Sequence, residues 1–220
     1  MLKVGLTGGI ASGKSVVGEM FVALGAHLVQ ADRIAHELML PGQPVYNEVV
    51  RHFGGGILNP DLSVNRAKLA EAAFEPASST TKNGPPDLTA STPGRIQELN
   101  RIVHPAVIRS QNEWLEEVGR QDANAIAIVE AALIIEAGAA KSFDRLIVVT
   151  CNDDQRVARF AERQRLSLED ARRDVARRMA AQLPEAEKIK AADFVIDNSG
   201  SLDQTREQVQ QIWRRLRGKA

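Results

Sequence analysis

Leu2-Lys3-Val4-Gly5-Leu6-Thr7-Gly8-Gly9-Ile10-Ala11-Ser12-Gly13-Lys14-Ser15 is the stretch that decides the fold. Leu2 to Thr7 reads as a short buried strand. Gly8 to Ser15 fits G-x-x-x-x-G-K-[ST]. Residues 16–25 read as a helix, with Val16, Val17, Met20, Phe21 and Leu24 at apolar spacing. Strand, glycine loop and helix in that order are the context in which this motif cradles phosphate. Backbone N–H groups must turn inward onto phosphate oxygens, and only residues with little side chain allow the wrap. The helix then aims its positive end at the same anion. Gly8, Gly9, Ile10, Ala11, Ser12, Gly13, Lys14, Ser15 and Val16 are therefore expected to hold a nucleotide triphosphate. On this reading Lys14 adds a cation near the β- and γ-phosphates, and the Ser15 hydroxyl ligates Mg²⁺.

Working outward, His27 to Ala31 reads as a second strand ending at Asp32, with a helical stretch to about Met39. Residues 43–75 read as broken helix, interrupted at Gly54-Gly55-Gly56 and Asn59-Pro60. Residues 77–94 offer almost nothing to bury and are expected to form a mobile surface loop. Helical periodicity resumes near Arg95, and Pro105 is placed to open a further helix. Residues 125–129 and 146–150 are continuous apolar runs, as in parallel strands covered on both faces. Asn152 with Gln155, Ser167 with Asp170 and Ser201 with Gln204 are three helix-start pairs. Phe194 to Asp197 is a last short strand. The closing helix shows Val209, Ile212, Trp213 and Leu216 on one face. Strands alternating with helices, and no internal repeat, predict an α/β doubly wound parallel sheet.

Composition narrows the function. The 220 residues suit one domain, and 28 basic against 28 acidic residues give a formal charge of zero. That balance provides no global attraction to nucleic acid or to an anionic membrane. Cys151 is the only cysteine, so no internal disulfide can form and a reducing cytoplasm is expected. No apolar run approaches the roughly 20 residues of a membrane span. Because the sequence enters a strand at once, no signal peptide is expected. Nothing suggests an obligate protein partner.

Several side chains can carry chemistry. Ligands of open α/β sheets sit beyond the carboxyl ends of strands, so Asp32 is expected to face the crevice of the glycine loop. There it can accept the proton of an attacking hydroxyl, or simply cap a helix. His36, one turn on, can touch an acceptor or pack. His104 precedes Pro105, as a helix-entry residue or a contact. Glu130, at the end of the third strand, can hold a metal's water shell or face the acceptor; a capping or salt-bridging role is the alternative. Glu136 reads as structural. Residues 151–182 hold eight arginines and six acidic residues, a net +2 (8 − 6). They form either a solvated face or a lid, in which Arg159 and Arg163 share a helix face and Arg178 can join them. Asn198, in Asp197-Asn198-Ser199-Gly200, can bind a base edge or turn the chain. The Asn-Lys-x-Asp guanine reader of GTPases is missing from the chain, which disfavours GTP.

Taken together, these pieces resemble the dephospho-CoA kinase family from Lys3 to about Val209. That family opens with Thr-Gly-Gly-Ile-x-Ser-Gly-Lys-Ser, matched at residues 7–15. It continues with Ala-Asp-x-Ile-Ala, matched from Ala31 to Ala35, and a His-Pro pair, matched at His104-Pro105. Phe143-Asp144 before an apolar strand, Gln155, Arg159 and Arg163 at four-residue steps, and Ala192 to Gly200 complete the likeness. Three stretches depart from it. Glu130-Ala-Ala-Leu-Ile-Ile-Glu136 replaces Asp-x-Pro-Leu-Leu-x-x-Glu. Asp61-Leu-Ser-Val-Asn65-Arg66 lacks the glycine of Asp-Gly-x-Leu-Asn-Arg. Residues 77–94 look inserted.

The resemblance implies a P-loop kinase with a nucleoside-monophosphate-kinase-like five-stranded sheet. It implies transfer of the ATP γ-phosphoryl group to the ribose 3′-hydroxyl of dephospho-CoA, with Asp32 as base and Lys14, Arg159 and Arg163 stabilising the transferring charge. One domain, 1–220, is expected. Its core spans about 1–32, 121–152 and 183–220, with a helical acceptor-binding insertion at about 33–120 and a lid at about 153–182. Asp32, His36, Arg66, His104 and Glu130 are the candidate acceptor contacts, and ATP with Mg²⁺ completes the chemistry.

Overall fold

The computed structural model describes residues 1–74 and 95–218. Residues 77–94, expected to form a surface loop, lie outside them. The described residues fall into two compact units, one formed by residues 1–31 and 113–220, the other by residues 32–112.

The first unit is built on five parallel strands: β1 (Leu2–Gly8), β2 (His27–Gln30), β3 (Ile126–Glu130), β4 (Arg145–Thr150) and β5 (Phe194–Asp197). Their spatial order is β2-β3-β1-β4-β5, and every pairing is parallel. β1 holds the middle place, and Val4 to Gly8 are buried, Val4 and Leu6 on one face and Gly5 and Thr7 on the other. Side chains alternate along a strand, so its two faces meet different helices. Val4, Leu6, Ile126, Ile128, Ile147, Val149 and Ile196 share a core with Val17 and Phe21 of α1 (Lys14–Ala23). The last helix of the chain adds Val209, Ile212 and Leu216 to it. Ala125, Ala127 and Val129 instead pack with Leu115 and Val118.

The second unit contains α2 (Ala31–Leu38), whose first residue belongs to the first unit, then α3 (Pro44–Phe53) and α4 (Arg66–Phe74). It also contains the start of α5 (Arg95–Gln121). Its buried side chains include Ile34, Val45, Val49, Phe53, Ile57, Leu69, Val103 and Val107. Asn65 opens α4, its Oδ1 accepting from the N–H groups of Ala67 and Lys68, both at 3.1 Å.

Pro105 does not open a helix as its sequence context predicts; it sits inside α5. It lies on the exposed side, where the carbonyl four residues back can turn to water. Asp32 likewise differs from expectation. The strand ends at Gln30 and the helix begins at Ala31, so Asp32 lies within the first turn of α2 rather than capping it. There its charge complements the helix dipole.

The remaining helices are α6 (Asp153–Gln164), α7 (Leu168–Ala180), α8 (Glu185–Ala191) and α9 (Leu202–Arg217). The three helix-start pairs form as read. Asn152, Ser167 and Ser201 accept from the N–H groups of Gln155, Asp170 and Gln204, and Gln204 returns the bond in a full capping box. α6 and α7 share an apolar cluster of Val157, Phe160, Ala161, Ala171 and Val175, against which Ile10 and Ala11 also pack. At the β5 edge, Gln208 of α9 reaches back. Asp197 N donates to its Oε1 and its Nε2 donates to Asp197 O, each at 2.9 Å.

Candidate active site

β1 runs straight into the glycine loop, and Gly13 (φ 91°) starts α1. α6, α7 and α9 each have a side-chain cap and acid in the first turn; α1 has neither. Its first N–H groups and the positive end of its dipole are left for an anion. Lys14 Nζ spans the loop, donating to the carbonyls of Gly8 and Gly9, each at 3.0 Å. Two glycines are required by what lies behind them. A Cβ on Gly9 would come within 2.2 Å of Arg156 Nη1, and one on Gly13 within 2.1 Å of Asn198 Nδ2.

Beside the loop, the Ser15 hydroxyl donates to Glu130 Oε1 at 2.8 Å. The other oxygen of Glu130 accepts from Gln30 Nε2 at 2.9 Å. Glu130 is buried, so both bonds fix the carboxylate at the carboxyl end of β3. A hydroxyl and a carboxylate in contact suit a hard divalent cation, which takes oxygen donors. Among the described residues no group of three or more His, Cys, Asp or Glu gathers. The oxygen pair on Ser15 and Glu130 therefore fits Mg²⁺ better than a protein-only cage, since Mg²⁺ keeps waters and takes substrate phosphates.

The arginines of α6 separate into different roles. Arg156 is buried, although the sequence reading counted it only among lid or solvated residues. Arg159 Nη2 donates to Asn198 O at 3.0 Å, while its Nη1 is buried with no hydrogen-bond partner. Arg163 is exposed, and its guanidinium stacks over Phe160 at 5.8 Å from the ring centre; Arg178 does the same at 5.5 Å. The amide of Asn198 is engaged at both ends. Its Nδ2 donates to Ser12 O and its Oδ1 accepts from Thr205 Oγ1, each at 2.9 Å. Gln155 Nε2 donates to Ser199 O at 2.7 Å. Burial pushes the Cys151 thiol above its usual range, against the opposing pull of Arg156 and Arg159. Glu136, partly exposed, pairs with the buried Lys188 ammonium at 2.8 Å, in keeping with its structural reading.

In the second unit, Asp32, His36, Arg66 and His104 are all exposed. His36 therefore does not pack, contrary to one of its two readings. Sequence reasoning missed Gln30, Arg156, Thr205 and Glu185. The only available signal was the size restriction at Gly9 and Gly13, which says that something presses from behind without saying what.

The family model described as "Dephospho-CoA kinase" matches residues 2–83 and 88–204. A Corynebacterium jeikeium protein named dephospho-CoA kinase is 39% identical over 213 residues, covering 97% of this chain and 98% of that protein. An Aquifex aeolicus protein of the same name is 35% identical over 216 residues, covering 98% of each. Among solved structures, a Thermus thermophilus protein superposes with a TM-score of 0.73 at 28% identity, covering 98% of this chain and 97% of that one. A Campylobacter jejuni dephospho-CoA kinase shares the fold, with a TM-score of 0.65 at 23% identity, covering 99% and 98%.

Proposed function

This chain belongs to the dephospho-CoA kinase family, and on that premise we propose how its residues divide the work. The reaction moves the γ-phosphoryl group of ATP to the ribose 3′-hydroxyl of dephospho-CoA, giving CoA and ADP. Residues 8–16 hold the triphosphate. The amides at the uncapped start of α1 and the Lys14 ammonium gather its charge. Ser15 and Glu130 would hold Mg²⁺, which when bound neutralises charge on the β- and γ-phosphates. Glu130, standing where the family has Asp, supports this role by accepting from the Ser15 hydroxyl.

Asp32 accepts the proton of the 3′-hydroxyl as the phosphorus–oxygen bond forms. Its support is its position two residues beyond β2 and the Ala-Asp-x-Ile-Ala match. Arg159 and Arg163 supply positive charge to the group in flight, from a lid at about 153–182. Asn198 borders the nucleotide's base. The helices at about 33–120 bind the acceptor, with His36, Arg66 and His104 as contacts. Chemistry of this kind is mostly positioning plus electrostatics. The single cysteine and the lack, among the described residues, of a helix able to cross a membrane support work in the cytoplasm.

The observation that carries the reading is the Ser15–Glu130 contact beside a helix start left open for an anion. The test is coupled ADP release with dephospho-CoA beside a panel of nucleosides and nucleoside monophosphates. ADP release with dephospho-CoA alone is expected. Turnover of a nucleoside at an equal kcat/KM would point to a nucleoside kinase instead, and ATP binding without ADP release to a nucleotide-dependent switch.

A further inference from the structure

Arg156 is a large charged side chain only 1% exposed, and its contacts come from separate parts of the chain. Nη1 donates to Ile10 O at 2.9 Å, and Nη2 donates to Cys151 O at 3.0 Å. Nη2 also pairs with Glu185 Oε2 at 2.6 Å, and Nε lies 3.5 Å from Asp153 Oδ1. Burying a guanidinium is costly and is tolerated where partners surround it. Here a partner is the backbone of the glycine loop.

The direction of that bond matters. A trans peptide points its C=O and its N–H to opposite sides. Holding Ile10 O on the guanidinium therefore turns Ala11 N–H away from it. Ala11 has φ 53°, a left-handed conformation that a non-glycine residue keeps only when its surroundings impose it. Asn198 grips the loop in the same manner at Ser12 O, one peptide past Ala11.

We propose that Arg156 is a positioning residue for ATP: by gripping Ile10 O from behind, it sets the Ile10–Ala11 peptide so that Ala11 N–H faces the nucleotide's phosphates. Glu185 supplies the countercharge that keeps the guanidinium in place. This rests on residues 8–15 being the triphosphate cradle, and the test separates the two ideas.

Removing Arg156 alone strands Glu185, so the informative variant is Arg156→Met/Glu185→Leu, which removes both charges and refills the space. Arg156→Lys is the companion: it keeps a charge for Glu185, but its single ammonium cannot reproduce the planar fork on two carbonyls. Thermal melting, ATP binding by calorimetry, and KM and kcat for both substrates are measured on wild type and variants. For both variants, ATP Kd and KM are expected to rise about 10- to 100-fold, the scale of one lost charge-assisted hydrogen bond. The KM for dephospho-CoA is expected to stay within about twofold, and the double variant to melt near wild type. A folded variant, double or lysine, that binds ATP as wild type does overturns the proposal and reduces Arg156 to a neutralised buried charge. A wild-type protein that does not bind ATP overturns the cradle itself.

Discussion

The phosphate loop and the helical unit of residues 32–112 present their candidate residues in opposite ways. Around the loop, three polar side chains are each held by more than one partner, although the buried Ser12 Oγ and Arg159 Nη1 have none. Glu130 is fixed by Ser15 and Gln30, Asn198 by Ser12 and Thr205, and Arg156 by Ile10, Cys151 and Glu185. In the helical unit, Asp32, His36, Arg66 and His104 are exposed, and among the described residues none makes a side-chain hydrogen bond or ion pair. Triphosphate binding needs dipoles set in advance, because reorienting them during the reaction would consume their benefit. An acceptor's contacts can be made as the acceptor arrives.

The sharpest way to break this contrast is Asp32→Asn. With no bonded partner to lose, only its favourable place in the first turn of α2, the variant should melt within about 1–4 °C of wild type and bind ATP as well. Turnover with dephospho-CoA should fall about 10²–10⁴-fold, the scale of a missing general base. Single-turnover kinetics beside a melting curve reads both, and near-normal turnover would remove Asp32 from the chemistry. Gly13→Ala tests the opposite pole. With φ at 91° and Asn198 Nδ2 2.1 Å from the new Cβ, it should cost about 2–4 kcal/mol of stability. Calorimetry should show weaker ATP binding in the same variant, and an unchanged melt would mean the loop is softer than described.

Gln30→Ala sharpens the contrast more gently. Glu130 loses one of its two restraints, and affinity for Mg²⁺-ATP should drop about tenfold, the low end for a group supporting a metal ligand. Affinity for metal-free ATP should hold, and equal loss of both would detach Gln30 from the cation. The smallest effect is a gain. Leu62 has φ 66°, so the turn whose family glycine is missing still adopts the left-handed form, in the surroundings of Asp61. That carboxyl is held below its usual range, chiefly by its hydrogen bond from the Ser63 side chain. Leu62→Gly should relieve strain for about 0.5–1 kcal/mol net of the added chain entropy. A melting point raised by about 1–4 °C is the expected reading.

What could be read in advance followed the range of the physics. The strands were legible because apolar runs such as Leu146 to Val149 record burial on both faces. The caps at Asn152, Ser167 and Ser201 were legible because donor and acceptor lie three residues apart. Pro105 misled because a proline's local preference for a helix start yields when its ring faces water in a long helix. Arg156 was hidden because eight arginines in one window carry the same letter. Only packing against Ile10 and Glu185, far apart in sequence, selects the one that is buried. Gln30 was hidden likewise, since its partner lies 100 positions away.

The Gln208 side chain, lying along β5, has a consequence of another kind. Outer strands of a sheet present unpaired amides and carbonyls on which a second chain can grow. At Asp197 both groups are already taken by that carboxamide, and β2 and β5 are only four residues long. A stray strand finds little to zip onto at either border, which favours separate molecules over fibrils in concentrated solution.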